Sequence, residues 1–185
     1  MKKKNTLKKE DWIKGGFRAL TKGGEQGIRI EAIAREMKVS KGSFYWHFKD
    51  VAALKDAMLE HWAMVATSNV IARLAGDEAS AEERLGAIIR LYGGAATQQY
   101  GGLKSEGAIR NWARHDKKVA KIFAKVEAAR LQFLTELFLQ FGHDVDKSKL
   151  SARLFYAALV GEEHLAVQGL ADMEKDMLAM LDRLL

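Results

Sequence analysis

Residues 30–48 read IEAIAREMKVSKGSFYWHF, and this stretch decides the fold of the amino-terminal part of the chain. Ile33 belongs to a short apolar helical stripe, and the neighbouring Ala34 is small enough for a second helix to cross closely over it. Phe44 and Phe48 are one helical turn apart and would anchor that second helix from beneath. The spacing therefore predicts a helix-turn-helix made of two short helices.

The second helix of this motif carries a dense set of polar and aromatic side chains that we expect to face outward. They are Lys41, Gly42, Ser43, Tyr45, Trp46 and His47. Ser40 precedes them and is a favourable residue for the N-cap of the helix. Two interpretations remain open: these side chains bind a ligand, or the two aromatics belong to the core and the lysines are solvated.

The net charge of +6 is confined to the first third of the chain. Residues 1–61 contain 14 Lys and Arg against 8 Asp and Glu, whereas the remaining residues contain 16 of each. A basic module followed by a neutral one favours a polyanion-binding head on a body with another task. A basic surface that only keeps the protein in solution would give the same charge pattern.

Helical spacing continues through the rest of the chain, and Pro is absent. Ser80 and Glu83 have the spacing of a capping box, and Asp50 and Asp116 are placed to cap long helices. The sequence predicts an all-α fold. Besides the two helices of the motif, the predicted helices cover 7–23, 51–75, 80–91, 105–114, 117–141, 146–168 and 172–185.

Residues 39–50, VSKGSFYWHFKD, resemble the recognition-helix signature of TetR family repressors. Ile33, Ala34 and Leu54 stand at the spacing that the same signature requires. The resemblance implies an amino-terminal helix-turn-helix that binds DNA and a carboxyl-terminal helical bundle for dimerisation and ligand binding. The implied domains are 1–50 for DNA binding and 51–185 for regulation and dimerisation, with the helix 51–75 connecting the two.

Two residues depart from the family pattern. Lys38 occupies a turn position where Gly is frequent, so a non-glycine residue would adopt a left-handed conformation there. Ile28 stands where a phosphate-binding Thr is common, so that contact is either missing or supplied by Arg29.

The resemblance implies a DNA-binding role for each outward residue. Gly42 permits close approach to the major groove, and Lys41 and Ser43 offer donors to base edges or phosphates. Tyr45 and Lys49 would hold the phosphate backbone. The DNA-binding residues that we predict are Arg29, Ser40, Lys41, Gly42, Ser43, Tyr45, Trp46, His47 and Lys49, with Lys2, Lys3 and Lys4 either as an arm in the minor groove or as a solvated tail.

The predicted helices 117–141 and 146–168 carry more apolar residues than a single core-facing stripe requires. This surplus favours a homodimer formed through a four-helix interface, and the resemblance implies the same dimer. A central helix buried within a monomer is the alternative. In the dimer, two heads about 34 Å apart would read successive major grooves of a palindromic operator.

The resemblance also implies a small-molecule effector that binds in the second domain and releases the operator. Residues that could contact it are Leu91, Tyr92, Gln98, Ile109, Trp112, Phe123, Glu162 and His164. Ordinary core packing is the competing explanation for most of them. For the charged segment 162–164, an ion pair or a solvated edge competes with a ligand contact.

Several classes of function find no support in the sequence. The absence of Cys excludes disulfides and thiolate metal sites, and no motif of a hydrolase, phosphate loop, zinc protease or di-iron enzyme is present. We therefore expect a repressor that is not an enzyme, needs no cofactor or metal, lacks a signal peptide and acts in the cytoplasm. The alternatives are a helical small-molecule carrier that does not bind DNA, an all-α enzyme, and an activator or architectural DNA binder with the same head.

Overall fold

The computed structural model describes residues 7–76, 78–93 and 95–184. Within these ranges every regular element is helical, which confirms the predicted all-α class. The α-helices are α1 Lys9–Gly23, α2 Ile30–Glu36, α3 Val51–Ala63, α4 Asn69–Ala75, α5 Ala81–Gly93, α6 Lys104–Ala113, α7 Lys117–Leu139, α8 Val145–Val167 and α9 Met173–Leu184. Short 3-10 segments cover Glu25–Gly27, Lys41–Trp46 and Ala95–Tyr100. None of the helices described is both long and apolar enough to cross a membrane.

Side-chain caps fix several helix starts where the sequence predicts them. The backbone N–H of Ser80 donates to Glu83 Oε2 (2.8 Å), and that of Glu83 donates to Ser80 Oγ (3.2 Å), so the capping box of α5 is confirmed. Asp50 and Asp116 cap α3 and α7 as predicted. Asp144 caps α8, which therefore begins one residue earlier than the sequence predicts.

A core that we call the head core joins the helix-turn-helix to the middle of the chain. Helices α1 to α3 and the Lys41–Trp46 segment supply most of it, and its fully buried side chains include Trp12, Phe44 and Leu54. Helices α6 and α7 contribute Ile109, Trp112, Val119, Phe123 and Val126. One core thus spans the domain boundary predicted at residue 50, and that boundary stays a prediction.

A second core, the body core, is formed by α5, α8, α9 and the carboxyl-terminal half of α7. Phe138 and Phe155 meet edge to face in it, with ring centroids 6.0 Å apart. Burial of each large apolar side chain contributes about 1.5–3 kcal/mol to folding. Helices α7 and α8 therefore owe their position to the buried side of each helix, which leaves the other side available for further contacts.

The helix that connects the two cores contains an irregularity that the sequence does not predict. We expect one regular helix over 51–75, but a π-helical turn at Met64–Ser68 separates α3 from α4. Arg130 of α7 donates from Nε to Thr67 Oγ1 (2.9 Å) and from Nη2 to the Ala66 carbonyl (3.3 Å). A side chain from a neighbouring helix thus binds the π-helical turn, a type of irregularity that is frequent at functional sites.

Candidate nucleic-acid interface and internal cavity

The turn of the helix-turn-helix contains a left-handed residue. Lys38 has a φ of 55°, which confirms the conformation predicted for it. Ser40 stands at the N-cap of the Lys41–Trp46 segment, as predicted, but its side chain accepts no cap hydrogen bond. Instead, the backbone N–H and the hydroxyl of Ser43 both donate to the Ser40 carbonyl (3.1 and 2.9 Å), because the segment is a tight 3-10 turn.

Phe44 fixes the Lys41–Trp46 segment to the head core. Its side chain is fully buried. Trp12 meets its ring edge to face at 5.2 Å between centroids, and Phe48 stacks on it at 5.6 Å. These two Phe side chains face inward as their spacing predicts, so the residues between them are held at the surface.

Two aromatic side chains beside this anchor lie at the surface. Trp46 is 88% exposed and Tyr45 is 54% exposed. The interpretation that they are core aromatics is therefore wrong. Because exposure of a large aromatic ring forfeits the stabilisation that its burial would give, such a pair on a rigid segment indicates a contact surface.

Gly42 is exposed, and the fold itself does not require a glycine there. A Cβ at this position would meet only Ser40 Oγ, at an ordinary contact distance of 3.9 Å. By contrast, a Cβ at Gly15 of α1 would lie 2.7 Å from Ile33 Cγ2, so packing does require that glycine. The free surface at Gly42 is therefore available for close approach by another molecule.

One cation near the Lys41–Trp46 segment is paired with a carboxylate, and two others are exposed. Lys41 forms an ion pair with Glu31 of α2, and this hydrogen bond lowers the pKa of the Glu31 carboxyl. Arg29 and Lys49 are exposed and form no ion pair within the described ranges. The surface therefore places positive charge next to exposed aromatic rings, a combination suited to a phosphate backbone.

The remaining residues predicted to bind DNA lie at the edge of this surface. His47 is half-buried directly after the segment. Ile28 is buried in the head core and cannot reach a phosphate, whereas its neighbour Arg29 is exposed. Residues 2–4 of the proposed lysine arm lie outside the described residues.

A cavity of about 440 Å³ lies next to the π-helical turn, in the range typical of small-molecule sites. Its wall comes from the connecting helix, α5 to α8, the Ala95–Tyr100 segment and one residue of α1. The apolar lining includes Phe17, Trp62, Val65, Val70, Ile71, Ile88, Leu91, Leu103, Phe133, Leu134 and Leu159. The polar lining includes His61, Thr67, Tyr92, Tyr100, Glu106, Arg130 and Tyr156.

A bidentate ion pair lies in the cavity wall. Arg130 Nη2 is 2.8 Å from Glu106 Oε1 and Arg130 Nη1 is 3.1 Å from Glu106 Oε2. The indole N–H of Trp62 also donates to Glu106 Oε1, at 2.8 Å. Burial alone would raise the pKa of Glu106, but the charge and hydrogen bonds of Arg130 outweigh it and hold this pKa below its ordinary value.

A second carboxylate is buried behind the wall. Glu163 of α8 accepts a hydrogen bond from the backbone N–H of Gly107 (3.1 Å) and lies 3.5 Å from Arg110 Nη2. Burial raises the pKa of Glu163, and Arg110 offsets part of this rise. The Tyr92 hydroxyl donates to Glu163 Oε2 at 3.4 Å, so Glu163 reaches the cavity only through Tyr92.

The structure separates the residues predicted to contact an effector. Leu91 and Tyr92 line the cavity. The others lie elsewhere: Ile109, Trp112 and Phe123 in the head core, Gln98 and His164 at the surface, and Glu162 half-buried outside the cavity wall. The functional roles of all eight stay predictions.

The sequence does not reveal the Glu106–Arg130 pair, because the two partners lie on different helices and no local spacing connects them. A usable signal exists for Arg130, which stands in the apolar face of α7 between Val126 and Leu134. A charge at such a position is costly unless it has a buried partner, so Arg130 by itself indicates a buried acidic residue on another helix.

Tyr100 links the cavity to the head. Its hydroxyl lies 2.9 Å from His61 Nε2 and donates to Glu10 Oε1 of α1 at 3.3 Å. In the same segment the Gln99 carbonyl accepts from Arg18 Nη1 of α1, at 3.2 Å. The Ala95–Tyr100 segment therefore contacts both the cavity and the first helix of the helix-turn-helix domain.

Comparisons with known proteins agree with this geometry. Residues 13–58 match the family described as bacterial regulatory proteins, tetR family. No curated protein matches the chain. A TetR transcriptional regulator from Legionella pneumophila shares the fold, with a TM-score of 0.81, 16% identity and 100% of each chain covered. A TetR family regulator from Agrobacterium tumefaciens gives a TM-score of 0.74 at 16% identity, covering 95% of this chain and 96% of its own. A protein from Saccharomonospora viridis in complex with choline gives 0.75 at 17%, covering 95% and 93%.

Proposed function

Since residues 13–58 match the tetR family and the chain shares its fold with TetR regulators, we propose that it is a dimeric repressor of that family, released from its operator by a small molecule. The observation that carries this proposal is the exposed Tyr45–Trp46 pair, held on an anchored segment at a positively charged surface. Domains 1–50 and 51–185 would divide the two tasks of DNA binding and regulation.

In the proposed complex, the Lys41–Trp46 segment enters the major groove. Gly42 leaves room for a base edge, and Lys41 exchanges its exposed partner Glu31 for the DNA. The Tyr45 hydroxyl and the unpaired Lys49 hold phosphates, while Trp46 packs against sugar and backbone. Arg29, Ser40, Ser43 and His47 complete the predicted contact set.

One face of α8 supports the proposed dimer. Leu150, Leu154 and Leu165 are exposed, and the small residues Ala157 and Gly161 lie on the same face at spacings of three and four. Exposed small and apolar side chains in one row favour close packing against a second helix. A twofold axis through this face would pair α7 and α8 with their copies.

We propose that the connecting helix transmits the binding of an effector to the DNA-binding head. It begins at the head, and its π-helical turn and α4 form part of the cavity wall. A ligand that favours one position of this helix would change the distance between the two heads and so release a palindromic operator. The related fold from Saccharomonospora viridis, which holds choline, makes a small-molecule effector reasonable here.

The proposal is tested by retardation of DNA from upstream of the protein's own gene, at low salt. We expect a shifted band, and failure to shift any such fragment would contradict it. Lys49→Ala should weaken binding to all sequences and reduce the slope of log affinity against log salt by about one unit. The exposed Lys117, at the start of α7, gives the matched control Lys117→Ala, which should change neither quantity.

A carrier of apolar ligands that never touches DNA is the second candidate. The cavity favours this function as much as it favours a regulator. However, a carrier would have no use for the exposed aromatic pair or for the open surface at Gly42. A protein that binds ligand but no DNA would support the carrier.

A further inference from the structure

The buried ion pair in the cavity wall, Glu106 with Arg130, is already balanced in charge. Arg130 has five N–H donors, and each finds an acceptor: Thr67 Oγ1, the Ala66 carbonyl, the Tyr156 hydroxyl and the two oxygens of Glu106. The oxygens of Glu106 are likewise occupied by Arg130 and by the Trp62 indole. The ion pair therefore offers neither a free cation nor a free carboxylate to a ligand.

Two aromatic rings of the wall, those of Trp62 and Tyr100, are equally unsuited to a cation. Trp62 stacks on Phe123 with 6° between the rings, and the guanidinium of Arg130 already lies 5.5 Å from the centre of its indole. The Tyr100 ring has the Lys14 ammonium 5.7 Å from its centre. A cation already lies beside each of these two rings. Both cations would repel a further positive charge.

From these contacts we infer that the cavity binds an uncharged, mostly apolar molecule. Aliphatic side chains such as Val70, Ile71, Ile88 and Leu134 supply the attraction, and a charged ligand would lose its hydration without a partner to replace it. This ligand chemistry differs from that of choline. That this apolar molecule acts as an effector rests on the proposed function, but its binding to the cavity does not.

One lining cation could favour a different ligand. Arg73 of α4 is exposed in the wall and forms no ion pair within the described ranges. An amphiphilic anion could place its tail in the cavity and its carboxylate at Arg73. The test must therefore separate a neutral ligand from an anionic one.

Three probes with eight-carbon chains make this separation: octan-1-ol, octanoate and octyltrimethylammonium, each below its solubility limit or the concentration at which it forms micelles. Calorimetric titration of the full chain should give one octan-1-ol bound per chain, at least about tenfold tighter than either ion. Equal affinity for the three, or tighter binding of an ion, overturns the inference. Loss of octanoate binding in Arg73→Ala would then identify an anion site.

A substitution in the ion pair tests whether its balanced charge is the reason that the cavity prefers a neutral ligand. Glu106→Gln keeps the shape of the side chain but leaves the Arg130 charge unpaired, so octanoate should become the tighter ligand. Arg73→Gln also changes one charge in the wall, but not in the pair, and should preserve the preference for octan-1-ol. Retention of that preference in Glu106→Gln would contradict our explanation. If Glu106→Gln does not fold, the three probes on the native chain still decide.

The position of the probe is tested by filling the cavity. Val70→Trp and Val65→Trp should each abolish octan-1-ol binding, whereas Ala72→Trp, on an exposed residue of α4 outside the lining, should not. Unchanged binding in folded Val70→Trp and Val65→Trp would place the ligand elsewhere and refute the inference. DNA retardation without ligand is measured separately, so a chain that binds DNA but not octan-1-ol refutes only the ligand class. A chain that binds octan-1-ol but not DNA refutes only the regulator.

Discussion

A methyl group at Gly42 would meet only Ser40 Oγ within the chain, at 3.9 Å. Gly42→Ala should therefore leave the free energy of unfolding unchanged or raise it by up to about 1 kcal/mol, since Ala restricts the unfolded chain. Affinity for operator DNA should fall by about tenfold or more, because the methyl group would occupy the space for a base edge. Urea unfolding and DNA retardation measure the two effects.

The matched control for this substitution is Gly23→Ala at the end of α1, where a Cβ would likewise meet nothing within 4 Å. Gly23→Ala should change the free energy of unfolding only slightly and should leave the affinity for DNA unchanged. Equal DNA affinity of Gly42→Ala and the native chain would remove Gly42 from the proposed interface.

The left-handed Lys38 gives a prediction about stability. A non-glycine residue at a φ of 55° costs about 1–2 kcal/mol, and glycine at the same place loses about 0.5–1 kcal/mol through greater freedom in the unfolded chain. Lys38→Gly should therefore raise the free energy of unfolding by about 0.5–1 kcal/mol. Arg35→Gly, inside α2, should lower it by about 1 kcal/mol. A destabilised Lys38→Gly would show that this turn is not strained.

Among the elements, the Ala95–Tyr100 segment connects the cavity to α1. Tyr100→Phe keeps the ring that packs on Phe17 and removes the hydroxyl that bonds His61 and Glu10. Loss of the hydrogen bond to His61 should cost about 1 kcal/mol of stability. If this contact transmits the effector signal, octan-1-ol should still bind with native affinity but release DNA less.

The coupling is measured as the ratio of DNA dissociation constants with and without saturating octan-1-ol. Tyr92→Phe is the matched control, because the Tyr92 hydroxyl also lies at the cavity but bonds Glu163 in the body. Native coupling in Tyr100→Phe, or equal loss in both variants, would show that the hydroxyl does not carry the signal.

The elements that the sequence predicts well are those whose signals are local. The capping box of Ser80 and Glu83 and the cap at Asp116 need only residues two or three positions apart. The inward Phe44 follows from helical spacing, whereas the exposure of Trp46, for which the sequence also allows a core position, is decided by the structure. For the caps and for Phe44, position in the sequence decides position in the structure.

The features that the sequence does not predict depend on contacts between distant helices. The π-helical turn is bound by Arg130, and the Glu106–Arg130 pair joins two helices that could each have solvated its charge. The cavity likewise results from how the helices pack, so three of the eight residues predicted to line it, Ile109, Trp112 and Phe123, fill the head core instead. Apolar character alone does not distinguish a cavity wall from a filled core.

On the scale of the whole molecule, the excess positive charge and the exposed apolar face lie on different parts of the chain. The charge belongs to the first 61 residues, whereas the apolar face lies on α8. A single head makes few phosphate contacts, so two heads on one dimer would gain both affinity and a preference for paired half-sites. In the proposed dimer, the body would therefore add to the strength of DNA binding.

Leu154→Arg tests this link, because Leu154 is 55% exposed in the middle of the α8 face. A charge there should prevent pairing without disturbing the fold, so sedimentation at micromolar concentration should change from dimer to monomer. Operator affinity should fall by about a hundredfold, since the second head no longer adds its contacts. Leu170→Arg, at a residue 74% exposed after the end of α8, is the control and should remain dimeric. A native chain that sediments as a monomer, or a dimeric Leu154→Arg, would exclude this face as the interface.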